Sequence, residues 1–132
     1  ELGVWMCNVH ASGGRAMLEA ARRGAEEGAA RSGRPRPLVT AVTVLTSLSA
    51  AELPDVGISD LPVDHVVLLA KLTEAAGLDG VVASPQEIGA VRRACGQDFL
   101  IVTPGIRGGA AAATADDQTR TSTAGGAMAA GS

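Results

Sequence analysis

The chain has 132 residues, of which 46% are hydrophobic, and a formal net charge of −3. That is apolar material enough for one ordinary domain or for a piece of a larger one. With Trp5 and Phe99 as its only aromatic residues and a mildly acidic balance, it lacks both a basic surface to track phosphates and a platform to stack bases, so nucleic acid is not an expected partner. No apolar run approaches the ~20 residues that span a bilayer and no leader segment opens the sequence, so a soluble, cytoplasmic protein without a membrane partner is expected.

Val4 to Val9 (VWMCNV) is an apolar run closed by His10 and the turn residues Ala-Ser-Gly-Gly, which predicts a strand. Cys7 inside that run predicts a buried, reduced thiol, and no disulfide with the distant Cys95 is expected. Arg15 to Ala30 is rich in Ala, Glu, Arg and Leu and is followed by Gly33-Arg34-Pro35, the pattern of a helix and its stop. The basic "RSGRPRP" at its end is expected to be a solvated connection. Leu38 to Leu45 (LVTAVTVL) is dense in β-branched residues and predicts a second strand.

Ser49-Ala-Ala-Glu52 has capping-box spacing. Leu61 to Ala76 predicts a longer helix with Asp60 as its cap, Leu68, Leu69 and Leu72 on its apolar side, an exposed His65 near its start, and Gly77 as its stop. Lys71, the one lysine of the chain, falls in the middle of this helix, where a solvated amine is expected. Leu78 to Ala83 predicts a third strand. "SPQE" then supplies a cap at Ser84, a proline at the first helical position and Glu87 for the box. The helix opened by this cap runs to about Cys95, Phe99 to Val102 predicts a fourth, buried strand, and Thr123 to Ala130 a last short helix.

Strand and helix alternating four times demand an α/β fold with parallel strands and right-handed crossovers. Each unit takes about 33 residues, close to the per-unit length of a (β/α)8 barrel of roughly 250 residues. Pattern alone leaves an open sheet or a barrel undecided; the unit length hints at half a barrel, a partial TIM barrel of four parallel strands with intervening helices, and residues 1–132 read as an internal piece of one domain, truncated at both ends. Four strands alone would leave two long edges unpaired. Ligands in such folds sit at the carboxyl ends of the strands, which selects His10 to Gly14, Thr46-Ser47, Ser84 to Glu87, and Thr103 to Arg107.

The ordered set "LGVWMCNVHASGG", "AVTVLTS", "GLDGVVASPQE" and "IVTPGIR", followed by "DDQTR" and "AMAAGS", resembles the orotidine 5′-phosphate decarboxylase family across essentially the whole chain. The resemblance implies barrel strands four to seven. It also implies cofactor-free loss of CO₂ from orotidine 5′-phosphate to give UMP in pyrimidine biosynthesis, and a homodimer in the intact protein. The family's D-x-K-x-x-D signature is absent here, so no catalytic residue is assigned and the segment alone is expected to be inactive.

The resemblance places Thr46 at the pyrimidine edge and Arg107 and Gln118 at the phosphate, around a bland loop "GGAAAATADD" suited to a mobile cover. His10 is expected to pack and hydrogen-bond rather than to act as a base. Asp116 and Asp117 are taken as solvated, and no metal or cofactor is expected. Two alternatives remain open: a Mg-dependent sugar-phosphate decarboxylase or aldolase of the same superfamily, and a non-catalytic phosphate-binding or assembly module.

Overall fold

A computed structural model describes residues 3–59, 61–106 and 123–132. In chain order the regular elements are β1 (Met6–His10), α1 (Gly14–Ser32), β2 (Leu38–Val42), α2 (Pro62–Ala75), β3 (Gly80–Val82), α3 (Ile88–Ala94), β4 (Leu100–Val102) and α4 (Ala124–Ala129). Short 3₁₀ turns at Ala11–Gly13, Leu53–Val56 and Pro85–Glu87 join them. The sheet order is β1-β2-β3-β4 and every pairing is parallel, as expected of a partial (β/α)8 barrel.

Register divides the sheet into two faces. Val39 and Ala41 lie in one buried cluster with Leu18, Leu69 and Leu78, and Val81 and Ile101 lie in a second with Val66, Ile88 and Val91. These residues point to the helices, so the pleat turns their neighbours Val42, Val82 and Val102 to the opposite face. His10 is in register with Val42 and shares that side. Leu100, on the same side, is 38% exposed. Gly80 is required in this face, because a Cβ at its position would run into the backbone carbonyl and Cβ of Leu100.

The amino-terminal ends of the strands are tightly stitched. The Arg36 guanidinium donates two hydrogen bonds to Asp79, at 2.8 and 2.6 Å, and the Val39 amide donates a third at 2.7 Å. The Asp79 backbone joins both neighbouring strands, its amide donating to Val39 at 2.9 Å and its carbonyl accepting from Leu100 at 2.9 Å. The hydrogen bond from Arg36 holds the Asp79 carboxyl below the usual carboxylate range, burial opposing and the Val39 amide reinforcing it. The same pair raises the Arg36 pKa. Arg36 is therefore a cross-strand partner, and the reading of "RSGRPRP" as a wholly solvated connection is corrected at this residue.

Other expectations are corrected as well. The ladders are shorter than the apolar runs: Val4 and Trp5 precede β1 and are 52% and 73% exposed, and Val44 is buried beyond the end of β2. A strand ends where pairing ends, whatever the hydropathy of the next residue. Cys7 is exposed, because β1 is an edge strand, whereas Cys95 is buried; both are free thiols. Burial, then the neighbouring Glu74, raise the Cys95 thiol pKa.

On α2 the buried face is Val66, Leu69, Ala70 and Thr73, and Leu68 points outward at 58% exposure. His65 is half-buried rather than exposed. Asp60, the expected cap, lies outside the described residues. Lys71 is exposed, and Gly77 ends α2 at φ +79°. Among the described residues no helix is long and apolar enough to cross a membrane.

Candidate functional site

The four strands finish at one level. His10, Val42, Val82 and Val102 are successive register partners across the sheet, so the segments beyond them form a single rim. β1 passes into the Ala11–Gly13 turn, with Ala11 fully buried and Gly14 at φ +80°. Beyond β2, the Thr43 amide and hydroxyl both donate to the Val82 carbonyl, at 3.1 and 2.9 Å. Beyond β3, the Ala83 amide donates to Val102 at 3.1 Å. β4 turns through Thr103, Pro104 and Gly105, the last at φ +73°, a conformation that suits glycine.

Thr46 is on this rim and is buried, 6% exposed. The connection that carries it onward is pinned in two ways. The Glu52 carboxylate accepts from the Ser49 amide and hydroxyl at 2.8 and 2.6 Å, which holds the Glu52 carboxyl below its ordinary range. Leu53 is buried in the core at 2% exposure. The spacing of Ser49 and Glu52 is the sequence signal of this box.

Ser84 is fully buried and acts as a cap, its hydroxyl accepting from the Gln86 amide at 3.2 Å, while the Glu87 amide donates to the Ser84 carbonyl at 3.0 Å. The cap opens a 3₁₀ turn that leads into α3, not one continuous helix. His10 is an exposed strand end, so the expectation that it packs is corrected. Thr43 was not singled out by the sequence; nothing in a Thr-Val repeat distinguishes a rim threonine from a strand threonine.

Ile106 packs partly buried against the core below β4. Arg107, the next residue, and Gln118 lie outside the described residues, as do Asp116 and Asp117 and the loop between them. Of the expected binding residues, Thr46 alone is therefore located. Among the described residues no group of three His, Cys, Asp or Glu could hold a metal ion.

The described rim carries hydroxyls at Thr43, Thr46, Ser84 and Thr103, the imidazole of His10, and backbone amides; the hydroxyls of Thr43 and Ser84 already bond the turns and that of Thr103 lies against Ser132. Such donors and acceptors can orient a polar ring but contain no amine to deliver a proton. A concavity of about 660 Å³ at the opposite end is lined by the strand starts Leu38, Asp79 and Leu100 and by Glu74. Its charged lining is Glu74, Asp79 and Asp98; Asp79 is already committed to Arg36 and Glu74 to the Gly96 amide, so volume and chemistry point to different ends and the chemistry favours the rim.

Comparison with known proteins agrees with this arrangement. The family described as orotidine 5′-phosphate decarboxylase / HUMPS matches residues 1–132. The chain is 54% identical over its whole length to an orotidine 5′-phosphate decarboxylase of Chromobacterium violaceum, covering 51% of that protein. It is 48% identical over its whole length to that of Hydrogenovibrio crunogenus, covering 53%. A crystal structure of orotidine 5′-phosphate decarboxylase from Lactobacillus acidophilus superposes with a TM-score of 0.75 at 39% identity, over 80% of this chain and 47% of the other. A conserved protein of Geobacillus kaustophilus superposes with a TM-score of 0.72 at 45% identity, over 76% and 47%. The chain spans about half the length of the curated relatives it matches, and it belongs to the orotidine 5′-phosphate decarboxylase / HUMPS family.

Proposed function

We propose that this chain is the central part of an orotidine 5′-phosphate decarboxylase, a carboxy-lyase that forms UMP in pyrimidine biosynthesis. The observation that carries this reading is identity of 54% with a relative of that name over all 132 residues, on a sheet whose carboxyl ends share one rim. In this reading the segment holds the nucleotide and leaves the bond-breaking to residues it lacks. Thr46, small and buried, orients the pyrimidine edge with its hydroxyl or its backbone. Arg107 grips the phosphate with its forked donors and Gln118 closes over it. Contacts to the phosphate, remote from the reacting carbon, contribute binding energy that is realised at the transition state.

The sequence holds no D-x-K-x-x-D pattern, and its one lysine is exposed on α2, so this segment performs no decarboxylation alone. The whole protein is proposed to be a cytoplasmic homodimer that needs no cofactor.

The test is an assay of the full-length protein for UMP formation from orotidine 5′-phosphate, with and without chelator. Turnover that is indifferent to chelator is expected. A complete protein without turnover would overturn the assignment, and loss of activity with chelator would favour a Mg-dependent relative.

A further inference from the structure

The outer edge of β4 is not bare. The Val102 carbonyl accepts from Ala83 and the Leu100 amide donates to Asp79, so both residues turn their backbone groups toward β3. Ile101, between them, turns its carbonyl to the other side, where the next strand of a parallel sheet would pair. That carbonyl accepts from the Ser132 hydroxyl at 3.0 Å, and the same hydroxyl lies 2.8 Å from that of Thr103.

One residue earlier, the Gly131 carbonyl accepts from Arg92 at 2.7 Å. The other terminal nitrogen of Arg92 donates to Phe99 at 2.8 Å, and to Gln97 and Gly96 at 2.9 and 3.0 Å. Gly131 is thus level with the residue before β4 and Ser132 with the strand itself, which means that the chain is travelling in the direction of β4. Gly131 makes the corner at φ +101°, and a Cβ there would crowd the Arg92 Nε at 3.3 Å.

We propose that Arg92 is a positioning residue: its fork bolts the corner at Gly131 to the start of β4, so that chain continuing beyond Ser132 enters the sheet beside β4 in one register. Planar, two-sided donation is what a guanidinium provides and an ammonium does not. This rests on the reading that the segment belongs to a complete barrel. In such barrels phosphate is commonly bound by the loops after the last two strands, and a slipped register would misplace the second of those loops.

The experiment compares wild type, Arg92→Ala and Arg92→Lys in the full-length protein, with orotidine 5′-phosphate and with orotidine, which lacks the phosphate. For Arg92→Ala we expect KM for the nucleotide to rise about tenfold with kcat within about twofold, and kcat/KM for the nucleoside to stay within about twofold. Arg92→Lys should resemble Arg92→Ala. Equal losses on both substrates would reduce Arg92 to general stability and overturn the proposal, as would a lysine variant that behaves like wild type.

Should Arg92→Ala fail to fold, Ser132→Ala takes its place, with a two- to threefold rise in nucleotide KM expected and an unchanged KM overturning the idea. If the wild-type protein forms no UMP, the proposed function fails by itself. Hydrogen exchange then judges the clamp: amides just after Ser132 should exchange about tenfold faster in Arg92→Ala while β1 and β2 are unchanged, and uniform acceleration would overturn it.

Discussion

The two ends of the sheet are built differently. At the amino-terminal end, charged side chains are spent on the backbone: Asp79 on Arg36 and the Val39 amide, Glu74 on the Gly96 amide at 2.7 Å, and Arg92 on four carbonyls. At the carboxyl rim the described polar groups are mostly hydroxyls, and the bonds that hold the turns are short-range caps and ladder ends. The difference separates holding from handling. Charges committed to carbonyls and amides stiffen one end, whereas the other is lined by small hydroxyls, several of them tied into its own turns; barrel enzymes bind their ligands at that end.

The sharpest way to break this contrast is Gly80→Ala. The added methyl meets the backbone of Leu100, which cannot move without parting β3 from β4, so a loss of about 3 kcal/mol or more is expected by denaturant unfolding of the full-length protein. Next comes Asp79→Ala. It strands the Arg36 guanidinium and an inward Val39 amide, costing about 2–3 kcal/mol, while kcat of the folded fraction stays at the wild-type value.

The same carboxylate predicts a pH signature. Its folded pKa is held below the ordinary aspartate value, so its stabilisation is fully present above that ordinary value and is lost as pH falls through the lower folded pKa. In Asp79→Asn the acid limb of an unfolding titration should therefore be shallower than in wild type.

On the rim, Thr46→Val keeps the shape and removes the hydroxyl. If the hydroxyl meets the pyrimidine, kcat/KM for the nucleotide falls about tenfold, with the melting temperature lowered by only a few degrees. An unchanged kcat/KM would leave the contact to the Thr46 backbone. The smallest effect is expected of Lys71→Ala: an exposed helix position should give a melting temperature within about 2 °C of wild type and unaltered turnover. A large loss of turnover there would mean that the lysine reaches the site.

Much of the fold is legible in the sequence. Order and type of the elements come from punctuation: Gly33 and Gly77 take positive φ where helices must stop, and Thr123 caps α4 by accepting from the Gly126 amide at 3.2 Å. The features that escape are set by partners distant in sequence. Arg36 and Asp79 are 43 residues apart, and no local pattern joins them. Leu68 cannot be assigned a side from sequence because α2 is apolar on more than one face, and only the positions of the sheet and α3 choose among them. Cys7 departs from expectation because burial of a strand residue depends on having a neighbour on both sides. Thr46 is proposed from its place after β2 and the resemblance, whereas the bond from Thr43 to β3 shows only in the structure.

The long connection between β2 and α2 has a mechanical consequence. Between residues 47 and 59, Leu53 alone is fully buried, with Leu48 and Ile58 only partly so, while the Ser49 and Glu52 box ties the preceding turn to itself rather than to the body. Held to the core chiefly by Leu53, the segment is expected to open as a unit when that contact is lost. Leu53→Ala should accordingly loosen the whole flap at once, and a protease would find its first cut there long before it found one in the sheet.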